Sequence, residues 1–165
     1  MNSKNLIAEL EHEWVSTAKL LHLVPADKLN WQPSPKAMPL GTLANHVATI
    51  PARYLTFATD GNTDVAILAL HAEPKNKDEM LNNFKNSCNK AKEILNTADA
   101  SWENKLCNLT KNDSVILTLP VALFIRLLVL NHLFHHRGQL STYLRTLNIA
   151  LPSIYGPSAD EDPFA

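Results

Sequence analysis

The distribution of glycine and proline constrains the fold of this chain more than any other feature. Only four of the 165 residues are glycine, and the ten prolines fall mainly in three regions, 25–39, 51–74 and 152–163. Proline interrupts helices and strands, and glycine is the residue that most tight turns require. The chain therefore favours long helices that are joined by stiff connections.

Apolar residues at helical spacing predict four helices, at about 3–23, 41–58, 77–97 and 120–147. The segment 98–118 is open between a short strand at 115–118 and an extended lead-in to the last helix. The inward line of that helix is predicted to be Ile125, Val129, His132, His136, Gln139 and Tyr143. These elements predict an all-α four-helix bundle that forms a single domain over residues 1–165.

Charge and composition exclude several classes of function. Lys and Arg number 15 against 16 Asp and Glu, so the chain lacks the basic excess expected of a nucleic-acid-binding protein or of one that binds anionic membranes. The long apolar run at 115–134 contains Pro120, Arg126, Asn131 and His132, which a membrane span tolerates poorly. Two cysteines without CxxC spacing, and an N-terminus without a signal-peptide pattern, predict a cytoplasmic protein.

Two histidines inside this apolar helix indicate a metal site. His132 and His136 are four residues apart, so both imidazoles leave the same helical face one turn apart. His46, on the predicted second helix, would complete a set of three nitrogen ligands. Three imidazoles suit Zn, Ni, Fe or Cu, and three protein ligands leave coordination positions for water or substrate, as in catalytic zinc sites.

A second interpretation of the pair remains open on spacing alone. His132 and His136 would then be core histidines, hydrogen-bonded to backbone or to Asn131 and Gln139. His135 is an alternative partner for His132 at a spacing of three residues, but His136 lies closer to the inward line. His135 would then border the site, either as a residue that supports a ligand histidine or as a proton carrier.

Several side chains elsewhere in the sequence are candidates for supporting roles. Glu9 and Glu13 on the first helix are candidates to orient a ligand histidine. Arg137 is interpreted as a solvent-facing or helix-capping ion pair rather than as a group that holds a carboxylate of a bound cofactor. No partner is evident for His71 in the sequence.

Four motifs together resemble the DinB/YfiT-like superfamily of four-helix metal-binding proteins. The segment NHLFHHRGQL at 131–140 is similar to that family's last-helix signature. LNWQP at 29–33, GTLANH at 41–46 and IYGPS at 154–158 match in the same order along the chain. The resemblance implies that His46, His132 and His136 bind a divalent metal, for which Zn and Ni are the leading candidates. It also implies an up-up-down-down bundle and a homodimer.

The resemblance further suggests a chemistry. Characterised relatives include transferases of bacillithiol, mycothiol or glutathione and a mycothiol-dependent maleylpyruvate isomerase. The implied function is transfer of a low-molecular-weight thiol to a small electrophilic substrate, with His135 or Tyr143 as proton carrier. The alternatives are a stress-response metal-binding dimer without turnover and a metal-dependent hydrolase.

Overall fold

The structure is a computed structural model that describes residues 3–99 and 101–165. Its four long helical units are α1 (Ser3–Leu23), α2 (Leu40–Asp60), α4 (Lys77–Thr97) and a final unit made of α5 (Val121–Ile125), a π-helical segment (Arg126–Asn131) and α6 (His132–Thr146). The short elements are α3 (Val65–Leu68) and the strands β1 (Asn62–Asp64), β2 (Leu106–Lys111) and β3 (Ser114–Pro120). The four predicted helices are confirmed, with ends that move by at most two residues.

The fold is mostly helical, as predicted, but it is not all-α, because β1, β2 and β3 form a small sheet in that order. The short strand considered at 115–118 lies within β3. β1 runs parallel to β2, and β2 pairs antiparallel with β3. Asn112 and Asp113 join the hairpin with φ angles of 51° and 61°, which is the left-handed pair typical of a two-residue type I′ turn. β1 has only three residues, and residues 114–118 of β3 are exposed, so neither strand has the apolar alternation that sequence patterns detect.

The core lies between the four long helical units. α2 packs against α4 and α6, and α1 packs against the same two helices. Burying each large side chain in this core stabilises the fold by about 1.5–3 kcal/mol. The fully buried side chains include Leu10, Leu20, Leu43, Ile50, Tyr54, Met80, Leu95 and Phe124. Among the described residues, no helix has an apolar stretch long enough to cross a bilayer.

The C-terminal end of α2 depends on a glycine. Gly61 has a φ of 75°, and its N–H donates to the Phe57 carbonyl at 3.3 Å. Residues with a Cβ rarely adopt this left-handed conformation, so glycine is favoured at this position. The chain then turns directly into β1.

The π-helical segment changes which side of the last helix faces the core. Before it, Ile125 and Val129 are buried as predicted; after it, the buried line is Leu133, Arg137, Leu140 and Leu144. A π-helical turn is wider than an α-helical turn and so shifts the helical register. The predicted inward line is therefore wrong beyond Val129: Gln139 is exposed, and His132, His136 and Tyr143 are half-buried beside the core line.

Candidate metal centre

Three histidines from two helices meet at one edge of the core. His46 on α2 is buried, and His132 and His136 on α6 are half-buried. One ring nitrogen from each lies within 4.8 Å of the other two. The Nε2 atoms of His46 and His132 are 2.9 Å apart, and the His136 ring lies 4.5 Å from each of the other two rings, centroid to centroid. The structure thus brings together the three residues that the sequence singles out, on a side that solvent reaches.

The donor set fits a divalent transition metal. Two ligand nitrogens on a tetrahedral zinc ion, each about 2.0–2.1 Å from the metal, are about 3.3 Å apart. The Nε2 atoms of His46 and His132 would need to separate by only a few tenths of an ångström to accept an ion. Three neutral nitrogens without thiolate or carboxylate suit Zn, Ni, Fe or Cu, and the donor set does not distinguish among them.

Burial keeps these imidazoles in the neutral form that metals bind. It lowers the pKa of His46 from 6.5 to about 2, and repulsion from His136, His71, His132 and Arg53 adds to the effect. Burial also lowers the pKa of His132 from 6.5 to about 4, with His136 the next contributor. The pKa of His136 falls for the same first reason, although its hydrogen bond to Gln139 opposes the shift. Near neutral pH, protons therefore compete weakly for this site.

A hydrogen bond fixes the orientation of His136. Its Nδ1 lies 2.7 Å from Oε1 of Gln139, an oxygen that can only accept. His136 therefore carries its proton on Nδ1 and leaves the Nε2 lone pair free. The Gln139 contact is the one that the core-histidine interpretation predicted, yet it leaves a nitrogen available for a metal.

His135 lies outside the cluster. Its side chain is exposed, and its ring is 4.8 Å from the ring of His136. The three residues whose nitrogens converge include His136 and not His135. This agrees with the choice of His136, from helical spacing, as the partner of His132.

Sequence reasoning missed two neighbours of the cluster. His71, in the connection after α3, places its Nδ1 3.2 Å from Nδ1 of His46. The ring of Tyr54 packs 4.9 Å from that of His132, and its buried hydroxyl has no hydrogen-bond partner within the described parts of the chain. A lone histidine in an irregular connection has no pattern that would have identified it, whereas Tyr54 lies about two helical turns after His46 on the same helix.

Arg137 is buried, so its interpretation as a solvent-facing or helix-capping residue is wrong. Its side chain is 2% exposed and pairs at 2.7 Å with the Glu13 carboxylate, which is 8% exposed. It also donates to Oγ1 of Thr17 at 3.3 Å and to the hydroxyl of Tyr155, and that hydroxyl donates to Glu13 at 2.7 Å. These contacts join α1, α6 and the C-terminal segment.

Within the described residues, Glu9 and Glu13 on α1 form ion pairs with arginines and have no hydrogen bond to the three histidines. Glu13 pairs with Arg137, and Glu9 pairs with Arg126 at 3.2 Å. The hypothesis that either orients a ligand histidine is therefore wrong. Tyr143 makes an edge-to-face contact with Trp31, with ring centroids 5.7 Å apart.

A separate cavity lies at the far end of α2. It has a volume of about 290 Å³ and is lined by residues that include Ala58, Trp102, Lys105 and Val121. Ala58 is twelve residues beyond His46, which corresponds to about 18 Å along an α-helix. The cavity and the histidine cluster are therefore distinct features.

Similarity to known proteins agrees with the motifs. A family model described as the DinB family matches residues 1–162. The fold is similar to that of a DinB-like protein from Bacillus subtilis, with a TM-score of 0.72 and 18% identity over 91% of this chain and 97% of that one. A DinB-like protein from Bacillus cereus gives a TM-score of 0.71 and 20% identity over 92% and 97% of the two chains. At such identities the likeness shows the fold alone. No protein with a curated description matches the chain.

Proposed function

Because this chain belongs to the DinB family, we propose that it binds a divalent metal, Zn or Ni, through His46, His132 and His136 and that it acts as an enzyme. The reaction that we propose is transfer of a low-molecular-weight thiol to a small electrophile. The observation that carries the proposal is the convergence of three imidazole nitrogens within 4.8 Å on a solvent-accessible side of the core.

The chemistry follows from the open coordination positions. A divalent metal held by three imidazoles lowers the pKa of a bound thiol or water and so supplies a nucleophile near neutral pH. In the transfer, the S–H proton is lost, a bond forms from sulfur to the electrophilic carbon, and the leaving group departs with its electron pair. His135, exposed beside His136, is the residue that we propose carries the proton away. Arg137 is committed to Glu13 and is not available to hold a carboxylate of the thiol.

Metal content is the first test of the site. We expect near-stoichiometric metal in tag-free parent protein by elemental analysis, and its loss in His46→Ala and His136→Ala. His22→Ala is the matched control, because His22 is exposed and its Nδ1 contacts only the Ala18 carbonyl among the described residues. Parent protein that contains no metal and takes up neither Zn nor Ni would refute the site.

Thiol dependence tests the reaction. Metal-loaded protein is incubated with a chlorodinitroarene electrophile, with and without glutathione, bacillithiol or mycothiol, and consumption of the electrophile is measured. Consumption above the uncatalysed rate that requires a thiol supports transfer. Consumption without a thiol would instead support metal-dependent hydrolysis, and none under either condition would support a stress-response metal-binding protein without turnover.

We also propose that the protein is a cytoplasmic homodimer whose four long helical units follow an up-up-down-down order. β3 is an edge strand of the sheet, and its Val115, Ile116 and Leu117 are 56%, 56% and 46% exposed. An unpaired edge presents free backbone donors and acceptors, and antiparallel pairing of a strand with its own copy satisfies two-fold symmetry. A second copy of the chain is therefore the partner that we propose for this edge.

Light scattering distinguishes the oligomeric states, since one chain has a mass of 18.3 kDa. We expect a dimer for the parent and a monomer for Ile116→Lys. Ile67→Lys adds the same charge at another exposed isoleucine and should remain dimeric. A monomeric parent, or a dimeric Ile116→Lys variant, would contradict pairing through β3.

A further inference from the structure

A fourth histidine contacts the side of His46 that faces away from His132. Nδ1 of His71 is 3.2 Å from Nδ1 of His46, and the two ring centroids are 4.3 Å apart. We propose that His71 is a positioning residue that fixes the tautomer of His46, so that the Nε2 lone pair of His46 is presented to the metal. The inference rests on the metal site proposed above and adds a residue that the three-histidine set does not include.

The backbone on both sides of His71 is held by side chains of α2. Arg53 donates to the Leu70 carbonyl at 2.5 Å, and Asn45 donates to the Ala72 carbonyl at 2.9 Å. The two bonds come from residues on either side of His46 along the same helix. His71 is therefore anchored to the helix that carries its partner, although it lies in an irregular connection.

Asn45 is itself held in place. It is 4% exposed, and its Oδ1 accepts a hydrogen bond from Nδ2 of Asn83 on α4 at 2.9 Å. The Asn45 amide orientation follows from this bond, because the oxygen faces a donor and the nitrogen faces the Ala72 carbonyl. The support for His71 thus extends through α2 to α4.

The position of the ring proton on His46 indicates the role of His71. A neutral imidazole carries one N–H, so a histidine that binds a metal through Nε2 must carry its proton on Nδ1. Nε2 of His46 faces Nε2 of His132 at 2.9 Å, and its Nδ1 faces His71. With the metal bound, His46 donates its Nδ1 proton to the Nδ1 lone pair of His71, whose own proton is on Nε2. Gln139 plays the same part for His136.

Zinc affinity is the measurement that tests this role. Zn²⁺ alone is the probe, and its dissociation constant is measured by competition with a chromophoric chelator. Loss of such outer partners typically weakens metal binding by about 10–100-fold, and we expect a loss in that range for His71→Ala. His71→Asn places an acceptor oxygen where Nδ1 lies and should recover most of the affinity. His22→Ala should equal the parent.

Spectroscopy separates positioning from general support of the fold. In zinc-loaded parent protein, we expect a slowly exchanging Nδ1 proton on His46 by nitrogen-15 NMR, which is lost in His71→Ala and regained in His71→Asn. X-ray absorption should count three imidazoles at the zinc in all three proteins, and circular dichroism should show the same helix content.

Three outcomes would overturn the inference. A folded His71→Ala variant that binds zinc within two-fold of the parent would leave the metal site standing and remove the role of His71. A fourth imidazole at the zinc in the parent would make His71 a ligand and not a positioning residue. A parent that binds no zinc would refute the metal site and this inference with it.

Discussion

The buried pair of Glu13 and Arg137 allows a quantitative prediction. The two side chains are 8% and 2% exposed and 2.7 Å apart, so neither charge is solvated by bulk water. Arg137→Met keeps the apolar stem but leaves the Glu13 carboxylate with the Tyr155 hydroxyl as its remaining side-chain partner. Removing one member of a buried pair costs about 3–5 kcal/mol, since the other charge stays buried without compensation.

Urea unfolding followed by circular dichroism measures this cost. At about 2–4 °C per kcal/mol for a chain of this size, the melting temperature of Arg137→Met should also fall by roughly 6–20 °C. The double variant Glu13→Gln, Arg137→Met removes both charges, and we expect it to recover most of the loss, within about 1–2 kcal/mol of the parent.

An exposed pair provides the control. Lys90 and Glu93 are 3.1 Å apart with side chains 52% and 64% exposed, so Lys90→Met should change the free energy of unfolding by less than about 1 kcal/mol. If Arg137→Met were no more destabilising than Lys90→Met, or if the double variant were less stable than Arg137→Met alone, the argument from burial would be refuted.

Three further predictions concern protonation, thiol reactivity and backbone conformation. The pKa values of His46 and His132 are about 2 and about 4, so these imidazoles stay neutral as the pH falls through 6.5. Zinc affinity should therefore change little between pH 7.5 and about pH 6. A ten-fold loss of affinity over that range would contradict this prediction. Burial raises the pKa of the Cys88 thiol to about 12, so iodoacetamide should alkylate it slowly in native protein and rapidly in urea, as mass spectrometry would show; equal rates would refute this. Gly61→Ala should destabilise the protein by about 1–2 kcal/mol, because the φ angle of Gly61 is 75°. Gly138 lies in a helix with open space around the position of a Cβ, so Gly138→Ala should stabilise the protein by up to about 1 kcal/mol. If urea unfolding gave the reverse order of stabilities, the explanation from backbone conformation would be refuted.

Local patterns predicted the parts of the fold that depend on local interactions. The helix predicted at about 77–97 is α4 (Lys77–Thr97), because its apolar residues recur at helical spacing: Met80, Phe84, Ala91 and Leu95 are all buried. Of the sheet, only a short strand at 115–118, within β3, was among the sequence alternatives. β1 and β2 were not predicted, because their pairing joins residues more than forty positions apart, which no periodicity within one segment reports.

The three clustered histidines could be chosen from the sequence, whereas the residues that surround them could not. His132 and His136 have a helical spacing that can be read directly, and His46 was the candidate on the predicted second helix that the family motif then supported. His71 and the pairing of Arg137 with Glu13 depend on which segments meet in three dimensions. An arginine inside the signature has the same appearance in sequence whether it faces solvent or a buried carboxylate.

The direction in which His132 and His136 point depends on the π-helical segment that precedes them as well as on their own spacing. An α-helix turns by about 100° per residue, so deletion of one residue from 126–130 that restored regular α-helix would rotate everything beyond it by about that angle relative to α5. The segment 131–140 would keep every residue and every interval, yet His132 and His136 would no longer point toward His46. Relatives with the same signature but a different number of residues in this stretch would therefore have the two histidines rotated about the helix axis relative to the second helix.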